Sequence, residues 1–503
     1  MRTQLKKYIV SIDQGTTSCR ALVFDPDGNI IGLTQREFSQ HFPHPDWVEH
    51  DPVEILSVQI DCIKGAVTLS KIAPEEIACV AITNQRETTV VWNRKTLKPL
   101  YNAIVWQCRR TKELADKLKE QADLIRAKTG LIPDSYFSGP KIRWLLDNVP
   151  QARSQANNGE LAFGTIDSWL IANLSEEGNH LTEPSNASRT MLFNIEALDW
   201  DNELLELLGV PANMMPKVVP SNSNFGSTRK DLLGFSAPIL AVLGDQQAAL
   251  FGQCCFEPGM LKCTYGTGSF ILGNIGTKIR NVKGLLTTIA WQLIGEKTIY
   301  AFEGANFTAG AAIQWLRDNL HLIESSADCE DLANSIDSNE GVYFIPAFVG
   351  LGSPWWNSDI RGAIVGLTRS SGKAHFVRAA LEAIAYQVKD IQEEITQADL
   401  PMSELRVDGG VSNNEFMLQF QADLLGIPVK RAVEIEATAW GVAALGAITA
   451  GLTTVDQISK AWRCGLNVEP KTDRSAEYKG WQAALADMLG AIKPGHVDDQ
   501  CVR

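Results

Sequence analysis

Tyr8-Ile9-Val10-Ser11-Ile12 runs into Asp13-Gln14-Gly15-Thr16-Thr17-Ser18 and resumes as Ala21-Leu22-Val23-Phe24, after which Asp25-Pro26-Asp27-Gly28 turns the chain into Asn29-Ile30-Ile31. Two β-rich runs around a small polar loop, then a Pro/Asp/Gly turn and a third run, predict a strand meander that opens on a polar hairpin. The device returns near the middle, where Leu261-Lys262-Cys263-Thr264 leads through Tyr265-Gly266-Thr267-Gly268 into Ser269-Phe270-Ile271-Leu272. Two such openings form a weak internal repeat, and Glu257-Pro258-Gly259 supplies a break beside the second. The expected domains are therefore residues 1–255 and 256–503.

Between the openings the pattern is α/β. Phe376, Ala380, Ile384, Val388, Ile391 and Ile395 recur at helical spacing, predicting an amphipathic helix from about Lys373 to Thr396. Leu405-Arg406-Val407 reads as a strand entering Asp408-Gly409-Gly410, followed by a helix from about Asn414 to Leu425 and a strand at Val429. Ala437 to Val455 carries no charge and approaches the length of a membrane span, but it is rich in Gly, Ala and Thr and reads as a helix buried against a sheet. The tail from Lys493 reads as loosely ordered.

At 503 residues the chain exceeds what one core usually fills, which is about 250–300 residues. A hydrophobic content of 45% with 21% charged residues describes an ordinary globular composition. Forty-six Lys and Arg against 59 Asp and Glu leave a net charge of −13, which repels nucleic acid and anionic lipid alike. Neither nucleic-acid binding nor membrane insertion is expected. Ten cysteines are scattered, with only Cys254-Cys255 paired, too close for an ordinary disulfide or a zinc knuckle. The run after Lys6 and Lys7 is cut by Asp13, short of a signal-peptide core, so the expected setting is cytoplasmic.

A polar loop between hairpin strands can aim backbone N–H groups and hydroxyls at a phosphate, and a carboxylate there can hold magnesium through water. Asp13 to Arg20 has these parts. One such loop alone reads as a tight hairpin; the second, Tyr265 to Gly268, points to phosphate. No Walker A sequence is present. Asp408-Gly409-Gly410 is either an ordinary turn or a place where backbone approaches a flat ligand, with Asn414 near its adenine or ribose. Polar clusters also end two apolar runs: Asn84-Gln85-Arg86-Glu87 after Val80 to Thr83, and Asp245-Gln246-Gln247 after Ile239 to Gly244. An Arg-Glu pair suits the hydroxyls of a polyol, and Trp106 with Tyr136 suits its carbon face; a salt bridge and a core aromatic are the plain alternatives. His41, His44 and His50 match no metal spacing and read as solvated loop histidines. No Gly-x-Ser-x-Gly elbow of a hydrolase appears.

Taken together, Asp13-Gln14-Gly15-Thr16-Thr17-Ser18, Asn84-Gln85-Arg86-Glu87-Thr88-Thr89, Trp106-Gln107-Cys108-Arg109-Arg110, Ser188 to Asn194, Gly244-Asp245-Gln246-Gln247 and Gly284 to Thr288 resemble the FGGY carbohydrate kinases, specifically the branch acting on glycerol. The stretches Tyr136 through Lys141 to Asn148 and Gly362 through His375 to Glu382 resemble the two general signatures of that family. The resemblance runs in order from about residue 8 to residue 450. It implies two RNase H-like domains of the actin and Hsp70 ATPase kind, with ATP and glycerol in the cleft between them and sn-glycerol 3-phosphate as product. It places glycerol on Arg86, Glu87, Trp106, Tyr136, Asp245 and Gln246, with Asp245 as base. It places the nucleotide on Thr16, Thr17, Ser18, Arg20, Thr267, Gly310, Gln314, Gly410 and Asn414, with Mg2+ on Asp13. Assembly as a homodimer or homotetramer is the matching expectation. The resemblance departs at Phe225 to Asp231, which keeps a Thr-Arg pair but lacks the glycine run through which some members bind fructose 1,6-bisphosphate. Two rivals stand beside it: another FGGY kinase acting on a pentose or a larger polyol, against which Arg86-Glu87 argues, and a non-catalytic or chaperone-like member of the actin/Hsp70 superfamily that uses ATP as a conformational switch.

Overall fold

The computed structural model describes residues 6–357, 359–433 and 436–491, so the tail read as loosely ordered lies outside the described residues. The first meander forms as its sequence requires. β1 (Tyr8–Gln14), β2 (Ser18–Phe24) and β3 (Ile30–Glu37) are antiparallel, and β1 pairs in parallel with β4 (Ile77–Asn84), which pairs in parallel with β5 (Ile239–Gly244). The sheet order is β5-β4-β1-β2-β3. β4 is buried at every position, which is why it reads as a continuous apolar run with no alternation.

The second half repeats this order. β6 (Met260–Tyr265) and β7 (Ser269–Gly276) make the hairpin, β8 (Leu286–Trp291) and β9 (Ile299–Asn306) extend it, and β10 (Glu404–Asp408), β11 (Val429–Ala432) and β12 (Cys464–Val468) follow on the other side. The sheet runs β8-β9-β7-β6-β10-β11-β12, so β9-β7-β6-β10-β11 matches β3-β2-β1-β4-β5 strand for strand. This is the RNase H-like α/β arrangement, present twice. Helices form at Lys373–Gln397 and Glu415–Leu425, close to their predicted bounds.

The uncharged helix is Ala437–Thr449. Although it lies in the second half of the sequence, it packs on the first sheet, among Ile9, Ala81, Ala241 and Leu243. It also crosses the helix Asp245–Gly252 at two glycines, where a Cβ on Gly441 would collide with the Ala248 carbonyl and one on Gly252 with that of Ala437. The small residues of this segment are the ones that let the two backbones touch. No described helix is long and apolar enough to cross a membrane.

His50 departs from the expectation of a solvated residue. His41 and His44 are exposed, whereas His50 is fully buried, with Phe38 edge-on at 4.9 Å. Its Nε2 lies 2.7 Å from Gln40 Oε1 and its Nδ1 lies 3.4 Å from Gln85 Nε2. Since an amide NH2 only donates, Nδ1 must accept, and the ring is held neutral. The same Gln85 Nε2 reaches Gln14 Oε1 (3.1 Å) and the Gly15 carbonyl (3.2 Å), so the histidine braces the first hairpin.

Burial lowers the His50 pKa from 6.5 to about 3. Between those values the unfolded chain takes up a proton that the folded one refuses. Stability is therefore expected to fall by about 1.4 kcal/mol per pH unit as pH drops from near 6.5 toward 3. Urea midpoints measured from pH 7 to pH 4 test this, and His50→Asn, which does not titrate, should flatten the curve.

Candidate active site

The polar ends of the parallel strands converge. In register, Gln14 and Gly244 both face Asn84, so Asp13, Arg86 and Asp245 leave the same edge of the first sheet, where open α/β sheets place ligands. In the second sheet Thr264 faces Asp408, which brings the loop after β6 beside the glycine turn after β10.

Arg86 organises the side of the site where the polyol is expected. Its Nη1 donates to Glu303 Oε2 at 2.5 Å and to Gln247 Oε1 at 3.3 Å, and its Nε lies 3.1 Å from Asp245 Oδ1. Glu303 also takes Arg189 Nη2 at 2.8 Å, and Arg189 Nε donates to Glu87 Oε1 at 2.6 Å. The result is a buried sequence of alternating charge, Asp245, Arg86, Glu303, Arg189, Glu87. Arg86 and Glu87 themselves stand 4.0 Å apart, a loose ion pair beside the closer partners that each finds elsewhere. Glu87 holds a left-handed backbone (φ 59°) inside a tight turn closed by Thr88 N–H to the Arg86 carbonyl at 2.6 Å. Such a conformation costs about 1–3 kcal/mol in a non-glycine residue and persists because both neighbours are pinned.

The three carboxylates differ. Burial pushes Glu303 up, but Arg189 and Arg86 outweigh it and hold the group below its ordinary range. Burial wins at Glu87 over Arg86 and Arg189. It also wins at Asp245, over Arg86 and Lys262. Asp245 keeps 29% of its side-chain surface open, yet lies deep enough among protein atoms for desolvation to raise its pKa. Its Oδ1 accepts the Gln246 N–H at 2.7 Å. The cap of the helix Asp245–Gly252 is Gly244, and Asp245 is the first residue of the helix.

Three aromatic rings wall the site. Trp106 meets Tyr136 edge-on at 5.6 Å and Phe270 at 6.2 Å. Trp106 Nε1 donates to Thr16 Oγ1 at 3.0 Å, so a residue expected at glycerol and one expected at nucleotide are bonded to each other. Tyr136 is positioned by Lys141, whose buried Nζ donates to the carbonyls of Ser135 (2.7 Å), Tyr136 (2.5 Å) and Phe137 (3.1 Å).

The nucleotide set falls into two groups. In the first hairpin Asp13 and Arg20 form a short ion pair, Arg20 reaches Glu436 at 2.5 Å, Ser18 Oγ accepts Gln35 Nε2 at 3.0 Å, and Thr17 is exposed. In the second, the Thr267 carbonyl accepts the N–H of Ala309 (2.8 Å) and Ala311 (3.0 Å), while Gly310 N–H bonds the Gly266 carbonyl at 3.0 Å. Gly310 begins the helix Gly310–Asp318, and Gln314, exposed, stands one turn further on. Asn414 differs from its expected role in part, because its Oδ1 caps the next helix by accepting Met417 N–H at 2.8 Å. Only its amide NH2 remains for a ligand.

Glu303, Arg189, Lys262 and Phe270 carried no assignment from sequence. Glu303 in Tyr300-Ala301-Phe302-Glu303-Gly304 and Lys262 in Met260-Leu261-Lys262-Cys263 are lone charges inside apolar strands, and a buried charge has to be paired. That was the available signal.

Residues 8–252 match the N-terminal domain model, and residues 261–450 the C-terminal domain model, of the FGGY family of carbohydrate kinases. The chain belongs to this family. Its FGGY relatives include glycerol kinase 2 of Thermotoga maritima, 52% identical over 492 residues (96% of this chain, 99% of the relative). The glycerol kinase of Carboxydothermus hydrogenoformans is 53% identical over 489 residues (95% and 98%). Among solved structures, Plasmodium falciparum glycerol kinase with ADP superposes with a TM-score of 0.91 at 35% identity, covering 97% of this chain and 98% of that one. A ligand-bound xylulose kinase from Lactobacillus acidophilus shares the FGGY fold at a TM-score of 0.87 and 21% identity, covering 96% and 98%.

Arg86→Ala strands Glu303 and Asp245 as well as removing a donor, so it is expected to lower stability by about 3–5 kcal/mol along with polyol binding. Chemical denaturation with and without glycerol checks both effects. The adjacent glycines separate fold from site: Gly409 is left-handed (φ 86°) with the Tyr265 carbonyl against it, whereas a Cβ on Gly410 meets nothing within 4 Å. Gly409→Val should cost about 1–3 kcal/mol. Gly410→Val should fold normally and weaken ATP binding in calorimetry.

Proposed function

We propose that the chain transfers the γ-phosphate of ATP to a terminal hydroxyl of glycerol, giving sn-glycerol 3-phosphate and ADP, with Asp245 as general base. The observation that carries this reading is the setting of Asp245: one oxygen fixed by Arg86 and the Gln246 N–H, the pKa raised by burial, and part of its surface open beside the aromatic wall. A carboxylate so placed accepts the hydroxyl proton as the oxygen attacks phosphorus; the O–H bond breaks, a new O–P bond forms, and the bond to the β-phosphate oxygen breaks to release ADP. General-base assistance of this kind contributes about 10²–10⁴-fold. The rest of the catalysis is positioning and charge neutralisation.

Glycerol is small, and three aromatic rings around Trp106 suit its carbon edge. Arg86, Glu87, Gln246 and Tyr136 supply the polar contacts. The β1-β2 loop, with Thr16, Thr17, Ser18 and Arg20, and the opposite group, with Thr267, Gly310, Gln314, Gly410 and Asn414, take the phosphates and the nucleoside. Asp13 suits magnesium: its Oδ2 takes Arg20, its other oxygen makes no hydrogen bond among the described residues, and Mg2+ usually keeps several waters and one or two carboxylates. Bound there through water, the ion would neutralise charge on the transferring phosphate. The division at residues 255 and 256 belongs to the same reading, supported by each main sheet being built from one side of it. A cytoplasmic setting is supported by the nine described cysteines being free thiols. Control by fructose 1,6-bisphosphate should be weak, because the stretch Phe225 to Asp231 lacks the glycine run.

The test is ADP release with and without glycerol, in the parent and in Asp245→Asn. The variant keeps the side chain's shape and should fold, bind glycerol and bind ATP, while kcat drops about 10²–10⁴-fold. A kcat within a few-fold of the parent would remove Asp245 from the chemistry.

A further inference from the structure

Lys262 is fully buried in β6, and nothing above uses it. Burial lowers its pKa, while Asp408, Cys263 and Asp245 pull the other way, and three oxygens lie within hydrogen-bond distance of Nζ. An ammonium has three donors and no acceptor. Nζ spends one on Gln246 Oε1 in a short hydrogen bond, one on Thr264 Oγ1 at 3.1 Å and one on the Phe270 carbonyl at 3.3 Å. With every N–H engaged, this lysine has none to offer a phosphate.

Its effect is on Gln246. Because lysine only donates, the Gln246 atom facing it has to be the amide oxygen. Nε2 therefore lies on the opposite side of the amide, on a residue whose backbone N–H is already bonded to Asp245 Oδ1 at 2.7 Å. A substrate hydroxyl arriving between the two meets a donor on one side and an acceptor on the other. We propose that Lys262 is a positioning residue that fixes the polarity of Gln246, so that the reacting hydroxyl accepts from Gln246 Nε2 and has to aim its own proton at Asp245. Were the amide reversed, Oε1 would compete with Asp245 for that proton, and the attacking oxygen would lose the donor that leaves its hydrogen free. The same Nζ also holds the Phe270 carbonyl, which ties the polar arrangement to the ring that faces Trp106.

This rests on the phosphoryl-transfer reading above, so the parent is assayed first for glycerol-dependent ADP release; a parent without it overturns that reading and this inference together. With an active parent, Lys262→Met is expected to lower kcat by about tenfold or more, the weight of a hydrogen bond to a charged group, while the KM for ATP stays within twofold. Gln246→Glu keeps a partner for Lys262 and the side-chain shape but replaces both N–H donors by an acceptor. It should retain the parental melting temperature and lose kcat to a similar degree. A purely structural Lys262 would lower the melting temperature and leave the kcat of the folded enzyme unchanged. If Lys262→Met does not fold, Gln246→Glu decides alone. A folded variant of either kind with kcat within threefold of the parent, beside an active parent, overturns the inference while leaving the function standing.

Discussion

The site depends on five ionisable side chains in one line, Asp245, Arg86, Glu303, Arg189 and Glu87, the last four buried, with acids and arginines in strict alternation. Taking a charge out of water costs several kcal/mol, and each member recovers that cost only because its neighbours carry the opposite sign at hydrogen-bond distance. An odd-numbered alternation that begins with an acid also ends with one. One end, Glu87, is enclosed; the other, Asp245, is the member that opens toward solvent. The line therefore carries one more acid than it has arginines, and both arginines are committed to the framework.

The line crosses between the halves of the chain. Arg86, Glu87, Arg189 and Asp245 come from the first family domain and Glu303 from the second, in β9. Lys262, the Phe270 ring and the short pairing of Arg20 with Glu436 cross in the same region. The rest of the fold supplies two sheets that share a five-strand order, the second extended by β8 and β12.

Much of this was legible in the sequence, for reasons that can be named. The two hairpins announced themselves because polar loops between β-branched runs are local signals, and the helix near Lys373–Gln397 because its period is unambiguous. Asp245, Arg86 and Trp106 followed from motif resemblance and from their places at the ends of apolar runs. What stayed hidden was partnership. Arg86 and Glu87 are adjacent in sequence and read as a pair, yet the turn at Glu87 sends them to different partners more than 100 positions away. His50 looked solvated among His41, His44 and three nearby aromatic or proline residues, because nothing local reveals that Gln40 and Gln85 close over it. Lone charges in apolar strands were visible, but the identity of their partners is a tertiary fact.

The helix Ala437–Thr449 bears on how the molecule can be divided. It is contributed by the second half, yet it covers the first sheet, with the Ser11 hydroxyl bonded to the Ala439 carbonyl at 2.9 Å. A fragment cut at the linker near residue 257 would leave a broad apolar sheet face bare and the crossing glycine of Asp245–Gly252 unpaired. The two halves are thus sequential in the gene product but interlocked in space, in the manner of a clasp whose tongue is attached to the opposite side. Dissection of this enzyme into autonomous pieces would have to carry that one helix along with the first sheet, by permuting the chain and not by truncating it.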